Sequence, residues 1–460
     1  MMTVSAAAIA NVRSLLMNQA VLLLNAGMLG LGTLMTAILG FVYWWFAART
    51  FSAEAVGLAA AAISLMNLLA NLGEVGLGPF LMGEMGRQQR AGPFLTGALL
   101  ASFSASIVVG LIYLAIAACT STQLGSIVGS SATDLFFVAA CALTAVTLVL
   151  DQAMVGLLRS GLQLARNVVF AASKLLLLIA LGLTIGRATN ELAIFTTWFA
   201  GQLVSLVVVA GLLVYAGRRV FHRPEIRAFR PMLGQVFGHH ALSMAVQAPA
   251  LLLPFVVTVM LSAEINAAFY AAWTVLNVAL LVPASLASVL FAIAVREPEL
   301  FPARLRLSLG LSMLVCAATA LAFLFLSRFM LWIFNPAYAV IAGNGLQFLG
   351  VAAFGMASKY HYLAVQRVRR RLGFATLVLI GGAVLEIVAA AGGARFGIAA
   401  TADFWVIAVS LEGLLLCPAL YWATRRTATP SIAAPSTAGG VSTYGNSLDQ
   451  TDQIGIASRA

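Results

Sequence analysis

Charge is scarce in this chain, and lysine scarcer still. Only 9% of its 460 residues are Asp, Glu, Lys or Arg, and the two lysines are Lys174 and Lys359. With 62% hydrophobic residues, the composition lies outside the range of soluble globular domains. Cysteine is sparse as well. Cys119, Cys141, Cys316 and Cys417 lie in or beside apolar stretches without paired spacing, which points to small buried hydrophobes rather than a disulfide framework or metal site. Long polar outer loops are missing. The longest, around 120–133, is rich in Ser, Thr and Gly and too short for a catalytic domain. No nucleotide-binding loop, HExxH or nucleophile elbow occurs, so no enzyme class is indicated and no cofactor is expected. Any ATP drive would need a separate subunit.

What the chain does have is apolar segments of membrane-spanning length, roughly 20 residues at 1.5 Å each. Twelve are expected: 21–47, 56–82, 94–118, 134–158, 168–186 and 193–216, then 241–262, 266–294, 306–334, 340–365, 374–393 and 398–423. The first is too long for the apolar region of a cleavable signal. With the N-terminus taken as cytoplasmic, twenty of the twenty-four arginines fall on the cytoplasmic side, and Arg49, Arg187, Arg328 and Arg395 on the other. That asymmetry predicts cytoplasmic termini, and the Ala- and Arg-heavy composition fits a bacterial inner-membrane protein. The net charge of +11 does not indicate nucleic-acid binding, because the arginines are scattered over short loops and form no single face.

The twelve segments read as two sets of six related by a shift of 210 residues. Residues 51–67 (FSAEAVGLAAAAISLMN) align with 261–277 (LSAEINAAFYAAWTVLN), placing Ser52-Ala53-Glu54 on Ser262-Ala263-Glu264 and Asn67 on Asn277. Six residues later, Gly73 falls on Pro283. The expected fold is an all-α membrane protein of two six-helix bundles, 21–216 and 241–423, related by a pseudo-two-fold along the membrane normal. A cytoplasmic segment 1–20, a linker 217–240 and a polar tail 424–460, read as disordered, complete the chain. The linker carries Arg223, Glu225, Arg227 and Arg230 and reads as a solvated connection with surface contact, or as a basic amphipathic helix on anionic lipid. Helix breakers within spans, Gly73, Gly76, Gly78, Pro79, Pro249, Pro254 and Pro283, read either as hinges for alternating access or as static kinks.

Apart from Arg328 and Asp403, read as interfacial near outer helix ends, six ionisable residues lie deep within apolar segments, where each costs roughly 2.5–3.5 kcal/mol on insertion scales and usually faces a cavity with a partner. They are Glu74, Asp151, Lys174, Lys359, Glu386 and Glu412. Counting along the spans places Glu74, Asp151, Lys174 and Lys359 at one depth nearer the cytoplasm, and Glu386 and Glu412 nearer the midplane. One reading has the lysines attract an anionic headgroup while Asp151 and Glu74 hold them in place or titrate. The other has Asp151–Lys174 as a structural ion pair across a helical hairpin, with Lys359 reaching back to the interface. Asp151, Glu386 and Glu412 are the candidates for ion coupling. Asn67 and Asn277 either bridge helices or line the cavity.

The pattern Asn25-Ala26-Gly27, Gly40-Phe41-Val42-Tyr43, Ala48-Arg49-Thr50-Phe51-Ser52-Ala53-Glu54, Gly57, Leu72-Gly73 and Gly76-Leu77-Gly78 resembles the start of the polysaccharide transporter family. These are O-antigen and exopolysaccharide flippases within the multidrug/oligosaccharidyl-lipid/polysaccharide exporter superfamily. The resemblance spans about residues 20–423 and implies a V-shaped cavity between two bundles, with sugars on an undecaprenyl-pyrophosphate carrier as substrate. It further implies cavity cations meeting the pyrophosphate, and Lys174 and Lys359 match that role without a shared motif. A glycan polymerase or other assembly protein is the partner class implied. The rival expectations are a multidrug/cation antiporter of the same fold, centred on Glu74, Asp151 and Glu386, and a membrane glycan polymerase or ligase.

Overall fold

A computed structural model describes residues 28 and 30–425, except 86–90, 120–129, 185–190, 218, 220–221, 226–228, 230–232, 297 and 370–371. The described residues are almost wholly helical. In chain order the helices are α1 Gly30–Thr50, α2 Ala53–Gly73, α3 Leu77–Glu84, α4 Ala91–Cys119, α5 Ser131–Gly156, α6 Ser160–Thr184 and α7 Glu191–Tyr215. The second half follows as α8 Leu233–Met260, α9 Ala263–Arg296, α10 Phe301–Phe334, α11 Pro336–Ile341, α12 Ala352–Val368, α13 Leu372–Ala394 and α14 Ile398–Arg425. Among the described residues eleven helices are long and apolar enough to cross a membrane, and the 17-residue α12 is shorter than these. The chain is a multi-pass membrane protein of two helical bundles.

The triplet shared by the two halves is a helix start. Ser52 Oγ accepts from Ala55 N at 3.2 Å to cap α2, and Ser262 Oγ accepts from Ile265 N at 3.1 Å ahead of α9. Each serine satisfies one of the otherwise unpaired N–H groups of a first turn. The two capped ends meet where the bundles touch. A Cβ on Gly57 would lie 1.7 Å from the carbonyl oxygen of Ala263, so only glycine lets α2 and α9 approach so closely. Asn266 Nδ2 then donates to Gly57 O at 2.8 Å across the interface. Buried Ala59, Ala60, Ala61 and Ala62 continue the small-residue stripe along α2, the packing that brings helices close in lipid.

Three features differ from the sequence expectation. The second span, 56–82, is two helices, α2 and α3, separated by a turn with Val75 at φ 53° and Gly76 at φ 77°. Gly76 also packs on α8, where a Cβ would lie 2.5 Å from Val236 O. Val75 is β-branched and pays about 1–3 kcal/mol in that left-handed conformation. By contrast, α8 and α9 run continuously through Pro249, Pro254 and Pro283. The tenth span, 340–365, opens on the end of α11 and, apart from a short 3₁₀ turn, becomes helical again only at Ala352, because Gly343 at φ 53° and the Asn344-Gly345 turn interrupt it.

Part of the linker is docked against the first bundle. His222 N donates to Thr96 Oγ1 at 3.3 Å, Glu225 N donates to Pro93 O at 3.1 Å, and Phe229 stacks on Phe94 at 4.4 Å between ring centres. Arg227 and Arg230 lie outside the described residues. The seventh span begins at Leu233, so His240 stands in the second turn of α8 rather than at its start.

Candidate functional site

The two lysines occupy unlike environments. Lys174 sits on α6 facing α1 and α7. Its ammonium lies 3.4 Å from the ring centre of Trp198, 4.6 Å from that of Phe170 and 5.0 Å from that of Tyr43. Tyr43 is held in place by its hydroxyl, which bonds Thr197 Oγ1 at 2.9 Å. The rings attract the cation through their π faces, an interaction worth about 2 kcal/mol or more when desolvated. Gly201 on α7 makes room for it, since a Cβ there would lie 2.9 Å from Lys174 Cβ. Among the described residues no carboxylate lies within ion-pair distance of Lys174, which is only 4% exposed.

This ammonium lines a pocket of about 360 Å³ between the bundles. Its walls include Trp44 and Trp198 from the first half, Tyr270 and Trp273 from the second, and both Asn67 and Asn277. Lys174 is the one charged side chain among the described lining residues. Asn277 Nδ2 donates to Trp273 O of its own helix at 2.9 Å. The inter-bundle amide bond is made instead by Asn266, which sequence reading missed and which the repeat could have flagged by its place beside the Ser262 cap.

A second pocket of about 630 Å³ lies between α1 and α9 and shares Ala37, Phe41, Val278 and Leu281 with the first. Leu34, Ile38 and Val282 line it and are themselves 45–56% exposed. The two together form an apolar groove leading into an aromatic-walled chamber that carries a few polar groups.

Beyond the chamber, α1 is tied to the end of α10. Arg49 donates to Ile333 O at 2.8 Å and to Trp332 O at 3.3 Å, and Trp45 Nε1 donates to Ile333 O at 3.0 Å. Asn335 Nδ2 returns a bond to Ala48 O at 2.6 Å. A cation capping the last carbonyls of a helix is also favoured by the helix dipole.

The remaining site residues fall elsewhere. Asp151 forms a bidentate pair with Arg166 of α6, not with Lys174. Arg166 had been assigned to a loop, but the connection from α5 to α6 is only 157–159, so Arg166 stands in the second turn of α6 and reaches the acid. Its remaining donors go to Asn167 Oδ1 and Ser205 Oγ. Glu74 is buried beside the turn that ends α2, against Gly78 and Gln152. Neither acid lines the chamber.

Lys359 is fully buried and pairs with Glu386 of α13, with Glu412 Oε2 of α14 at 3.0 Å. Trp405 Nε1 donates to Glu386 Oε2 at 2.8 Å. Counting along the spans set Lys359 apart from Glu386 and Glu412, whereas the structure joins all three. The late start of α12 places it midway along its helix, where the three groups meet.

No family model and no curated protein matches the sequence. The fold does match solved structures. A multidrug resistance MATE family transporter of the MOP superfamily, in an inward-facing conformation, superposes with a TM-score of 0.63 at 14% identity, over 88% of this chain and 100% of that one. An outward-facing conformation of such a transporter gives 0.57 at 15% identity, over 90% and 96%. A MOP superfamily transporter from Pyrococcus furiosus, whose reverse polarity of binding pocket suggests a different function, gives 0.60 at 14% identity, over 87% and 95%. The chain has the MOP transporter fold.

Proposed function

We propose that the chain is an alternating-access flippase for a lipid-linked oligosaccharide or polysaccharide precursor carried on undecaprenyl pyrophosphate. The observation that carries this reading is the apolar groove between α1 and α9 opening into a chamber with one unpaired, buried ammonium. A molecule with a long hydrocarbon tail and an anionic, sugar-bearing head fits both compartments at once. The tail stays in the groove, the pyrophosphate meets Lys174, and aromatic faces and amides of the chamber take the sugar. Charge-assisted bonds to phosphate are shorter and stronger than neutral ones, so they displace the π contacts.

Alternating access is supported by the same fold occurring in inward- and outward-facing forms. With the N-terminus cytoplasmic, as the arginine distribution supports, the Arg49–Ile333 contacts join the two bundles at the outer end and serve as the outer gate. A ligand moves that equilibrium only by binding one state better than the other. Lys174→Ala should abolish export of surface glycan while leaving membrane levels normal. Normal export by that variant would defeat the assignment.

The multidrug resistance transporters among the solved structures favour a second reading, a drug/cation antiporter. Among the described lining residues the chamber offers an organic cation no carboxylate counter-ion. Efflux of cationic drugs from a sensitised strain, lost in Lys174→Ala and indifferent to lipid-linked glycan, would select that reading instead.

A further inference from the structure

The buried cluster in the second bundle has a charge imbalance. Two carboxylates, Glu386 and Glu412, converge on the single ammonium of Lys359. All three are at most 4% exposed. Glu386 is well provided, with Lys359 on one oxygen and the Trp405 indole on the other. Glu412 is not. Its Oε2 lies near the ammonium, yet neither of its oxygens accepts a well-directed hydrogen bond. The site is shaped for this carboxyl group, because a Cβ on Gly382 would lie 2.1 Å from its carboxyl carbon. An uncompensated buried carboxylate costs several kcal/mol, so the second negative charge demands a positive partner. Two acids that share one small site resolve the demand by holding one proton between them.

The other groups around the cluster leave that role to Glu412. On α12, His361 bonds Ser308 Oγ and Ala357 O and Arg367 donates to Ser243 Oγ, while Asp403 and Arg425 of α14 stand towards that helix's ends. On the packed helices α8, α9 and α10, the charged or titratable residues His239, His240, Glu264, Arg296, Arg304, Arg306 and Arg328 stand towards the helix ends. Tyr270 lines the central chamber, and Cys316 donates to Ala353 O. Trp405, which holds Glu386, meets Trp273 edge-on at 5.0 Å, and Trp273 lines the chamber. One aromatic layer therefore separates the cluster from the transport pocket.

We infer that Lys359, Glu386 and Glu412 form a coupling site whose cation position is filled by a tethered ammonium, so that it loads a proton at Glu412 and excludes sodium. This deepens the transport reading by naming the coupling ion. Its test needs no transported substrate, so its failure is separable from failure of that reading.

The full chain is purified in detergent and its thermal unfolding followed by tryptophan fluorescence, in about 100 mM NaCl against the same concentration of choline chloride. The wild type should unfold at the same temperature in both salts. Lys359→Met vacates the cation position between two carboxylates and should gain a sodium-dependent rise of about 2–4 °C, lost again in Lys359→Met/Glu412→Gln. Should Lys359→Met not fold, Glu412→Gln carries the test. The wild type should lose stability as pH rises, since deprotonation leaves a bare buried charge, and Glu412→Gln should lose that dependence. Sodium stabilisation of the wild type, a folded Lys359→Met indifferent to sodium, or an unaltered pH profile in Glu412→Gln would each overturn the inference.

Discussion

Lys174 and Lys359 are the same residue in similarly apolar sequence, and the fold uses them in opposite ways. In the first bundle the ammonium is surrounded by Tyr43, Phe170 and Trp198, has no acid within reach among the described residues and faces the chamber. In the second it is sealed between Glu386 and Glu412. An aromatic box stabilises a cation without neutralising it, which leaves the charge for a ligand. A carboxylate cluster consumes the charge, which leaves a surplus acid for a proton. The contrast gives the proposed binding group and the proposed coupling group different surroundings in the two halves.

Breaking the second environment should have the largest effect. Lys359→Met leaves the Glu386 carboxylate without its ammonium beside the protonated Glu412 and should cost about 3–5 kcal/mol in sodium-free buffer, read as a lowered unfolding temperature and reduced membrane level. Next come two neighbouring glycines that sharpen the comparison. Gly382→Ala drives a methyl group into the Glu412 carboxyl and should cost about 1–3 kcal/mol, whereas a Cβ on Gly381 meets nothing within 4 Å. Gly381→Ala should therefore be neutral or stabilising by up to about 1 kcal/mol in the same melt.

In the first environment the expectation reverses, with function lost and fold kept. Lys174→Ala should change stability by about 1 kcal/mol or less, because the lost π contacts are offset by removing a buried charge, while glycan export fails. The smallest effect is expected at the outer contact. Arg49→Ala removes exposed charge-assisted bonds to Ile333 and Trp332 and should shift the conformational equilibrium by about 1 kcal/mol towards the outward-open state. Spin-label distances between Thr50→Cys and Pro336→Cys in a cysteine-free background should lengthen; an unchanged distribution would remove Arg49 from the gate.

The division between legible and illegible follows from range. The aligned Ser52 and Ser262 triplets are a local pattern, and in the structure each serine caps a helix start. The partners of buried charges are not local. Lys174 alternates with apolar residues much as Lys359 does, and nothing near either reveals that one will meet rings and the other acids 27 and 53 residues away in sequence. Asp151 drew the wrong basic partner because a misplaced helix start put Arg166 in a loop. The same kind of boundary error, over the turn at Gly343, gave Lys359 the wrong depth.

The most direct measurement of the central claim is the affinity of undecaprenyl pyrophosphate for the purified chain in detergent, for the wild type and for Lys174→Ala. Loss of a charge-assisted contact worth about 1.5–3 kcal/mol predicts affinity weakened by roughly 10- to 100-fold in the variant. Equal affinity in the two proteins would contradict the account.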